Sequence, residues 1–255
     1  MTDKTAIEFL FFSYFGVSID EEDNGADNIL SALIDKAYLD ATQQGAYNAK
    51  EGKSADSKVA KAKAKSEIVK WISAPEKEEY EKWIKNVIIK VEKEFNDNAF
   101  TYGNAQKWVN MSVKYIVLTY TIFTNILRRE NSEFCEKYGK YFYENKNNLH
   151  IPVDSYIIEA VWHAGIEETI DGKIENRNEF RQDKLLVHIP LKEKIKEDKR
   201  KNKYSSDYAK GWSIWKDTEY DGFQQGLKSV INNDMEPLDW ENENWIKIAK
   251  RRKKK

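Results

Sequence analysis

Apolar residues recur at three- and four-residue spacing along most of this chain, which predicts a succession of helices with few strands. The apolar run Thr5–Phe15 reads as a buried helix, followed by an acidic, glycine-containing loop at 20–25. A second helix restarts at Asp27, with Ile29, Leu30, Leu33, Ile34, Ala37 and Tyr38 on one face. Residues 51–66 alternate Ala and Lys, a pattern that suits an exposed helix or a linker equally. Core character returns at Ile68, Val69, Trp71 and Ile72 before Ala74-Pro75 interrupts the chain. There Ser73 is the expected cap, Pro75 suits a first turn, and Glu76, Glu78 and Glu79 favour the positive helix end. The face of this helix is Tyr80, Trp83, Ile84, Val87, Ile88 and Val91.

The most apolar stretch, about 105–128, places Val109, Val113, Ile116, Tyr120, Phe123 and Leu127 on one stripe and Met111, Tyr115, Leu118, Ile122 and Ile126 on much of the rest. A helix apolar on most sides is expected at the centre of a core. An aromatic segment (134–143), a polar turn (144–148) and a helix opened by Asp154 follow. Residues 169–182 read as irregular, 184–190 as a short extended piece, and 206–232 as a last helix with Trp212, Trp215, Phe223, Leu227 and Val230 inward. The expected fold class is therefore mostly α: a single-core helical domain around a buried central helix. Its expected organisation is an N-terminal helical region (1–74), a main helical domain (75–249) and a basic tail (250–255). No internal repeat is visible.

Composition agrees with this reading. Eleven Gly and four Pro in 255 residues are too few for the frequent turns of a sandwich or barrel. The aromatic share of 13% supplies core material that a disordered chain lacks. Cys135 is alone, which excludes an internal disulfide and a multi-thiolate metal site and fits a reducing compartment. The Ala6–Phe15 run is too short to span a bilayer, and acidic Asp3 and Glu8 stand where a secretory signal is basic, so a cytoplasmic protein without membrane contact is expected. Charge is balanced, with 42 Lys+Arg against 43 Asp+Glu, so only local patches could hold phosphate. Two basic runs stand out, 192–203 and Lys250-Arg251-Arg252-Lys253-Lys254-Lys255.

Chemistry-bearing motifs are few. His150, His163 and His188 are widely spaced and form no helical zinc pattern, so neither a metal nor a cofactor is expected. Phosphate-loop, dinucleotide and nucleophile-elbow signatures are missing from the sequence. Two segments remain. In Tyr102-Gly103-Asn104-Ala105-Gln106-Lys107-Trp108-Val109-Asn110-Met111, a glycine turn opens into an apolar helix with a lysine near its start. In His150-Ile151-Pro152-Val153-Asp154-Ser155-Tyr156, an apolar approach leads to an aspartate at a helix start. A helix N-terminus offers amides to phosphate and glycine permits close approach. A partly desolvated lysine is a candidate amine nucleophile, and a nearby aspartate could balance a developing cation.

These residues resemble the helix-hairpin-helix DNA glycosylases, whose pattern is a glycine turn G-x-G-x-K opening a helix, then an apolar-V-D-[TS] segment. Gly103 matches the first glycine, Ala105 stands at the second, Lys107 falls on the Schiff-base lysine and Asn110 on an asparagine common in that helix. Pro152-Val153-Asp154-Ser155 matches the aspartate segment, with Tyr156 where His or Arg is usual. Lys114 and Tyr115 are similar to residues of the archaeal 8-oxoguanine branch. The interval between Lys107 and Asp154 is longer than the family's, which places an insertion around 134–148.

The resemblance implies a base-excision glycosylase/lyase acting on double-stranded DNA, with Lys107 attacking the sugar of a flipped nucleotide and Asp154 assisting departure of the base. Gly103, Asn104, Lys114, Arg128, Arg129, Arg251 and Arg252 would then contact nucleic acid. Each residue also has a plainer role open to it: Lys107 as a snorkelling lysine, Asp154 as a helix cap, Trp212 and Trp215 as core, Cys135 as a buried thiol. The alternative function is a non-catalytic helical interaction protein of a bacterial or phage accessory system.

Overall fold

Helix α1 spans Asp3–Phe15 in the computed structural model, which describes residues 2–42, 55–74, 79–95, 100–168, 189, 211–231 and 235–253. Thr2 opens it by accepting the Thr5 amide, and Gly16 closes it in the left-handed region. Helix α2 (Glu21–Thr42) begins inside the segment expected to be a loop. It is broken at Gly25, whose φ of 69° is a conformation that glycine adopts without penalty. Helix α3 (Ala55–Ser73) takes up the Ala/Lys repeat. Ser73 does not cap the next helix; it ends α3, its hydroxyl donating to the Val69 carbonyl at 2.8 Å. Residues 75–78 lie outside the described residues, and α4 (Tyr80–Lys93) starts after Glu79. Its six expected core residues are all buried, each worth about 1.5–3 kcal/mol of transfer free energy when fully buried.

Helix α5 (Tyr102–Thr121) packs against α2 and α4 and is the central helix the sequence implies. Its α geometry stops short of the expected end. Ile122–Ile126 form a π-helical turn in which the Leu127 amide reaches the Ile122 carbonyl, and Arg128, at φ 58°, closes the helix by letting the Arg129 amide reach Phe123 O. Leu118 and Ile126, expected inside, are exposed. A second π turn (Cys135–Gly139) leads into α6 (Lys140–Glu144). Cys135 is a free, fully buried thiol.

Among the described residues every regular element is helical, which is the mostly α class expected. The chain divides into two compact units, Met1–Pro152 and Val153–Lys255; a boundary was expected at residue 74, which instead falls inside the first unit. The second unit holds α7 (Ser155–Glu168), α8 (Asp217–Val230) and α9 (Pro237–Lys253), with α7 packed on α9. The last expected helix begins at Asp217 rather than 206, after a short 3-10 turn at Trp212–Ile214, and 206–210 lie outside the described residues. The extended piece expected at 184–190 also lies outside them, apart from buried Ile189, as does all of 169–182. The basic run is not a tail throughout, because residues 250–253 complete α9. Residues 254–255 and the run 192–203 are outside the described residues. No helix among the described residues is long and apolar enough to cross a membrane.

Helix α1 departs most from expectation. It is a helix, as its apolar run implies, but only Phe11 is buried, and Phe9, Leu10, Phe12 and Tyr14 are exposed. What holds it is aromatic and polar. Phe15 and Tyr14 meet Tyr115 edge-on, and the Tyr14 and Tyr115 hydroxyls lie 2.8 Å apart. Tyr115 donates to the Asp40 carboxylate, whose other oxygen accepts from Lys36 Nζ at 2.5 Å, and Lys36 sits 4.2 Å from the centre of the Tyr14 ring. This junction joins α1, α2 and α5.

Burial, then the hydrogen bond to Asp40, pushes the Tyr115 phenol well above its usual 10.0. Burial opposes the charged form of Lys36, but the Asp40 carboxylate outweighs it and raises the ammonium above 10.5. Groups whose pKa values rise on folding stabilise the fold below their unfolded values and lose that contribution as pH climbs through the folded ones. The first unit should therefore keep its stability up to about pH 10 and then lose up to about 1.4 kcal/mol per pH unit for each such group. Urea midpoints across the alkaline range check this, and Tyr115→Phe should flatten the decline.

Candidate functional site

The first motif segment folds into the capped start of α5. Thr101 is the N-cap, its hydroxyl accepting the Asn104 amide at 3.3 Å while Asn104 Oδ1 accepts from the Thr101 amide at 3.3 Å, a reciprocal capping box. Gly103 lies one residue before Asn104 inside the helix, buried, and its φ is not positive. The expected glycine turn is thus helix, and the Asn104 amide at its start is taken by Thr101. Asn104 is fully buried, and its Nδ2 donates to the Ala41 carbonyl of α2 at 3.4 Å. Gly103 and Asn104, expected to contact nucleic acid, are closed into the interior.

Three turns of the same helix carry further buried polar residues. Asn110 Nδ2 donates to Gln106 Oε1 at 3.2 Å and reaches the Ile151 carbonyl at 3.5 Å, with Gln106 and Asn110 both essentially inaccessible. The structure does bring the two motif segments together, at Asn110 and Ile151, and the contact is a side-chain amide holding an extended backbone. His150 is buried beside them with its ring edge-on to Tyr80. Lys107 and Lys114 are half-buried on α5.

Asp154 stands at the start of the second unit, whereas Lys107 belongs to the first. Its Oδ1 accepts the Tyr156 amide at 2.9 Å and the Ile157 amide at 3.0 Å, which makes it the N-cap of α7. Capping of this kind is worth about 1 kcal/mol, and asparagine provides it nearly as well as aspartate. Asp154→Ala should therefore lower the stability of the second unit by about 1 kcal/mol, and Asp154→Asn should restore most of it. Hydrogen exchange of the α7 amides reads both.

The arginines divide between structural and exposed roles. Arg129 pairs with Asp20 at 3.3 Å, a contact that holds the Asp20 carboxyl below its usual value. Arg252 is built into the second unit: its Nε donates to Glu159 Oε2 at 2.9 Å, a terminal nitrogen donates to the Ser155 carbonyl at 3.2 Å, and the guanidinium lies 3.9 Å from the Tyr156 ring centre. This corrects its place in a phosphate-binding tail. Arg128, Lys250, Arg251 and Lys253 are exposed, and the last three favour the negative end of α9.

No family model, curated protein or solved structure matches this chain. The site rests on its geometry alone. Among the described residues no group of three His, Cys, Asp or Glu side chains could hold a metal ion. An open groove of about 350 Å³ lies between α3 and α4, with Trp71 and Trp83 beside Lys70, Lys90, Lys93 and Glu67. None of the candidate site residues lines it, although Trp71, Trp83 and Val87 are among the expected core positions. Sequence reasoning missed the Tyr14–Tyr115–Asp40–Lys36 junction, because its members come from three separate helices. It also missed the exposed side of α1, where the only sign was an apolar run with no polar face.

Proposed function

We infer that this chain is a non-catalytic helical interaction protein, and that the residues of its two motif segments are scaffold. The observation that carries the reading is the internal use of their polar groups. The Asn104 amide is spent on a capping box, Asn110 holds the Ile151 carbonyl, and one oxygen of Asp154 accepts two helix amides. A lysine–aspartate glycosylase needs an open set of amides for phosphate at the start of the lysine's helix. Here that start is buried against α2. The exposed apolar side of α1 supports an interaction role, since surface patches of this kind mark contact sites.

Borohydride trapping with duplexes carrying an abasic site or a damaged base tests the reading. The expected result is no covalent adduct. An adduct that disappears in Lys107→Gln would overturn the proposal and make the chain a DNA glycosylase/lyase.

A further inference from the structure

The basic end of α9 carries more charge than the fold uses. Between Asn244 and Lys253 the helix has five cations and no acid, in a chain whose overall charge is close to zero. Arg252 is taken up by Glu159 at 2.7 Å, and Lys247 lies 3.9 Å from Glu243. Lys250 and Lys253 are exposed and have no ion pair among the described residues. The helix dipole puts only about half a negative charge at this end, too little to account for so many cations. Like charges three residues apart also repel, so the patch costs stability until something anionic neutralises it.

An aromatic ring adjoins these lysines on the same side of the helix. Trp245, Ala249 and Lys253 succeed one another at four-residue spacing, with Ile246 and Lys250 on the neighbouring ridge. Trp245 is 37% exposed, and its ring stacks on Tyr156 of α7 at 4.7 Å. The Arg252 guanidinium lies 3.9 Å from the centre of the same Tyr156 ring. The indole is thus fixed through one face while more than a third of the residue stays open to solvent. Lys250 and Lys253 follow it by about 7.5 and 12 Å along the helix axis, which sets two ammonium groups where the phosphates beyond a stacked base would run.

We propose that this side of α9 binds single-stranded nucleic acid, an unpaired base stacking on Trp245 while Lys250 and Lys253 hold backbone phosphates. Such binding involves no covalent step, so it rests on the non-catalytic reading and names the partner. A basic surface beside a fixed aromatic ring holds single strands with little regard to sequence. A duplex fits less well, since its bases stack on one another and leave the indole only backbone to meet. An anionic membrane also fits less well. The apolar stripe that an interfacial helix would bury in lipid, here Leu238, Trp240 and Ile248, is turned into the unit.

Fluorescence anisotropy of the full chain with a labelled oligothymidylate of about 12 nucleotides, within the usual site size of such surfaces, tests this. The expected result is binding that weakens with salt, the slope of log K against log salt growing by about 0.7 for each phosphate held. Lys250→Gln combined with Lys253→Gln should flatten that slope by about 1.4. Trp245→Ala should weaken binding about 5- to 150-fold, and Trp245→Phe, which keeps a ring on Tyr156, should retain most of it. An oligouridylate should bind alike, because Ile246 and Ala249 beside the ring offer nothing to a 2′-hydroxyl. Absence of binding at about 50 mM salt overturns the proposal, as does a salt slope unchanged in the double lysine variant. Equal or tighter binding of the oligothymidylate annealed to its complement also overturns it, as does release of the strand by phosphatidylserine-containing vesicles. An adduct that depends on Lys107 overturns the non-catalytic reading, whereas failure of salt-dependent binding leaves that reading standing, so the two failures are told apart.

Discussion

Trp108→Ala is expected to cost the Met1–Pro152 unit about 3–5 kcal/mol, enough to leave a domain of ordinary stability partly unfolded. Trp108 is fully buried at the contact between α5 and α2, where its indole Nε1 donates to the Ile34 carbonyl at 2.9 Å. Tyr38 of α2 packs edge-on against it, and Phe95 and Phe100 close the far side. Alanine would leave a cavity walled by three rings that belong to separate segments, so collapse into it is difficult. Urea denaturation followed by far-ultraviolet circular dichroism reads the loss. Trp108→Phe keeps much of the volume and forfeits the hydrogen bond, so it should fall clearly between wild type and alanine. A loss under about 1 kcal/mol for Trp108→Ala would mean that the site is not close-packed.

The second large effect is expected from adding one carbon. At Gly139 an added Cβ would stand 2.4 Å from Cδ2 of Tyr120 and 2.9 Å from its Cβ. Rotation of the ring could relieve the first contact, but the second is to an atom fixed by the α5 backbone. Tyr120 is further held by stacking on Tyr143 at 4.7 Å. Gly139→Ala should therefore force the π turn away from α5 and cost about 1–3 kcal/mol. In a double-mutant cycle Tyr120→Ala should recover the part of that loss due to the ring, since alanine removes Cδ2 but keeps Cβ, and Tyr120→Gly should recover more. Additive effects would place the strain elsewhere.

The sequence made the helices legible where burial is one-sided. Helix α4 alternates its apolar and charged residues at the helical period, and all six of its expected core residues are buried. Helix α5 was legible from its density of apolar residues, but not the exposure of Leu118 and Ile126, which depends on which neighbours reach that far along it. For α1 the pattern gives a helix and no orientation, since a segment apolar on every side does not say which side is covered. Helix α9 was hidden by its charges. Pro237 at the first helical position and Asp239 in the first turn are start signals, and Leu238, Trp240 and Ile248 are its buried apolar residues, but the basic end reads as a tail.

At the candidate site, residue types were legible and their use was not. Asn104 and Asn110 look like surface polar groups at a helix start. They are buried because the carbonyls they hold, Ala41 and Ile151, arrive from distant parts of the chain. Asp154 is the converse case, since its cap is local and is read directly from its position before Ser155. The glycosylase resemblance rests on short local spacing, whereas burial at α5 is set by packing across the unit.

Whether the motif asparagine is held for the fold or for chemistry is measured directly by the stability of Asn110→Ala. A scaffold residue lost from a buried hydrogen-bonded position leaves its partners unsatisfied and costs about 1–3 kcal/mol. Residues held in place for activity are often neutral or stabilising to remove. As a scaffold residue, Asn110 replaced by alanine should lower the urea midpoint and speed hydrogen exchange in the first turns of α5. A midpoint equal to or above wild type would contradict the scaffold role.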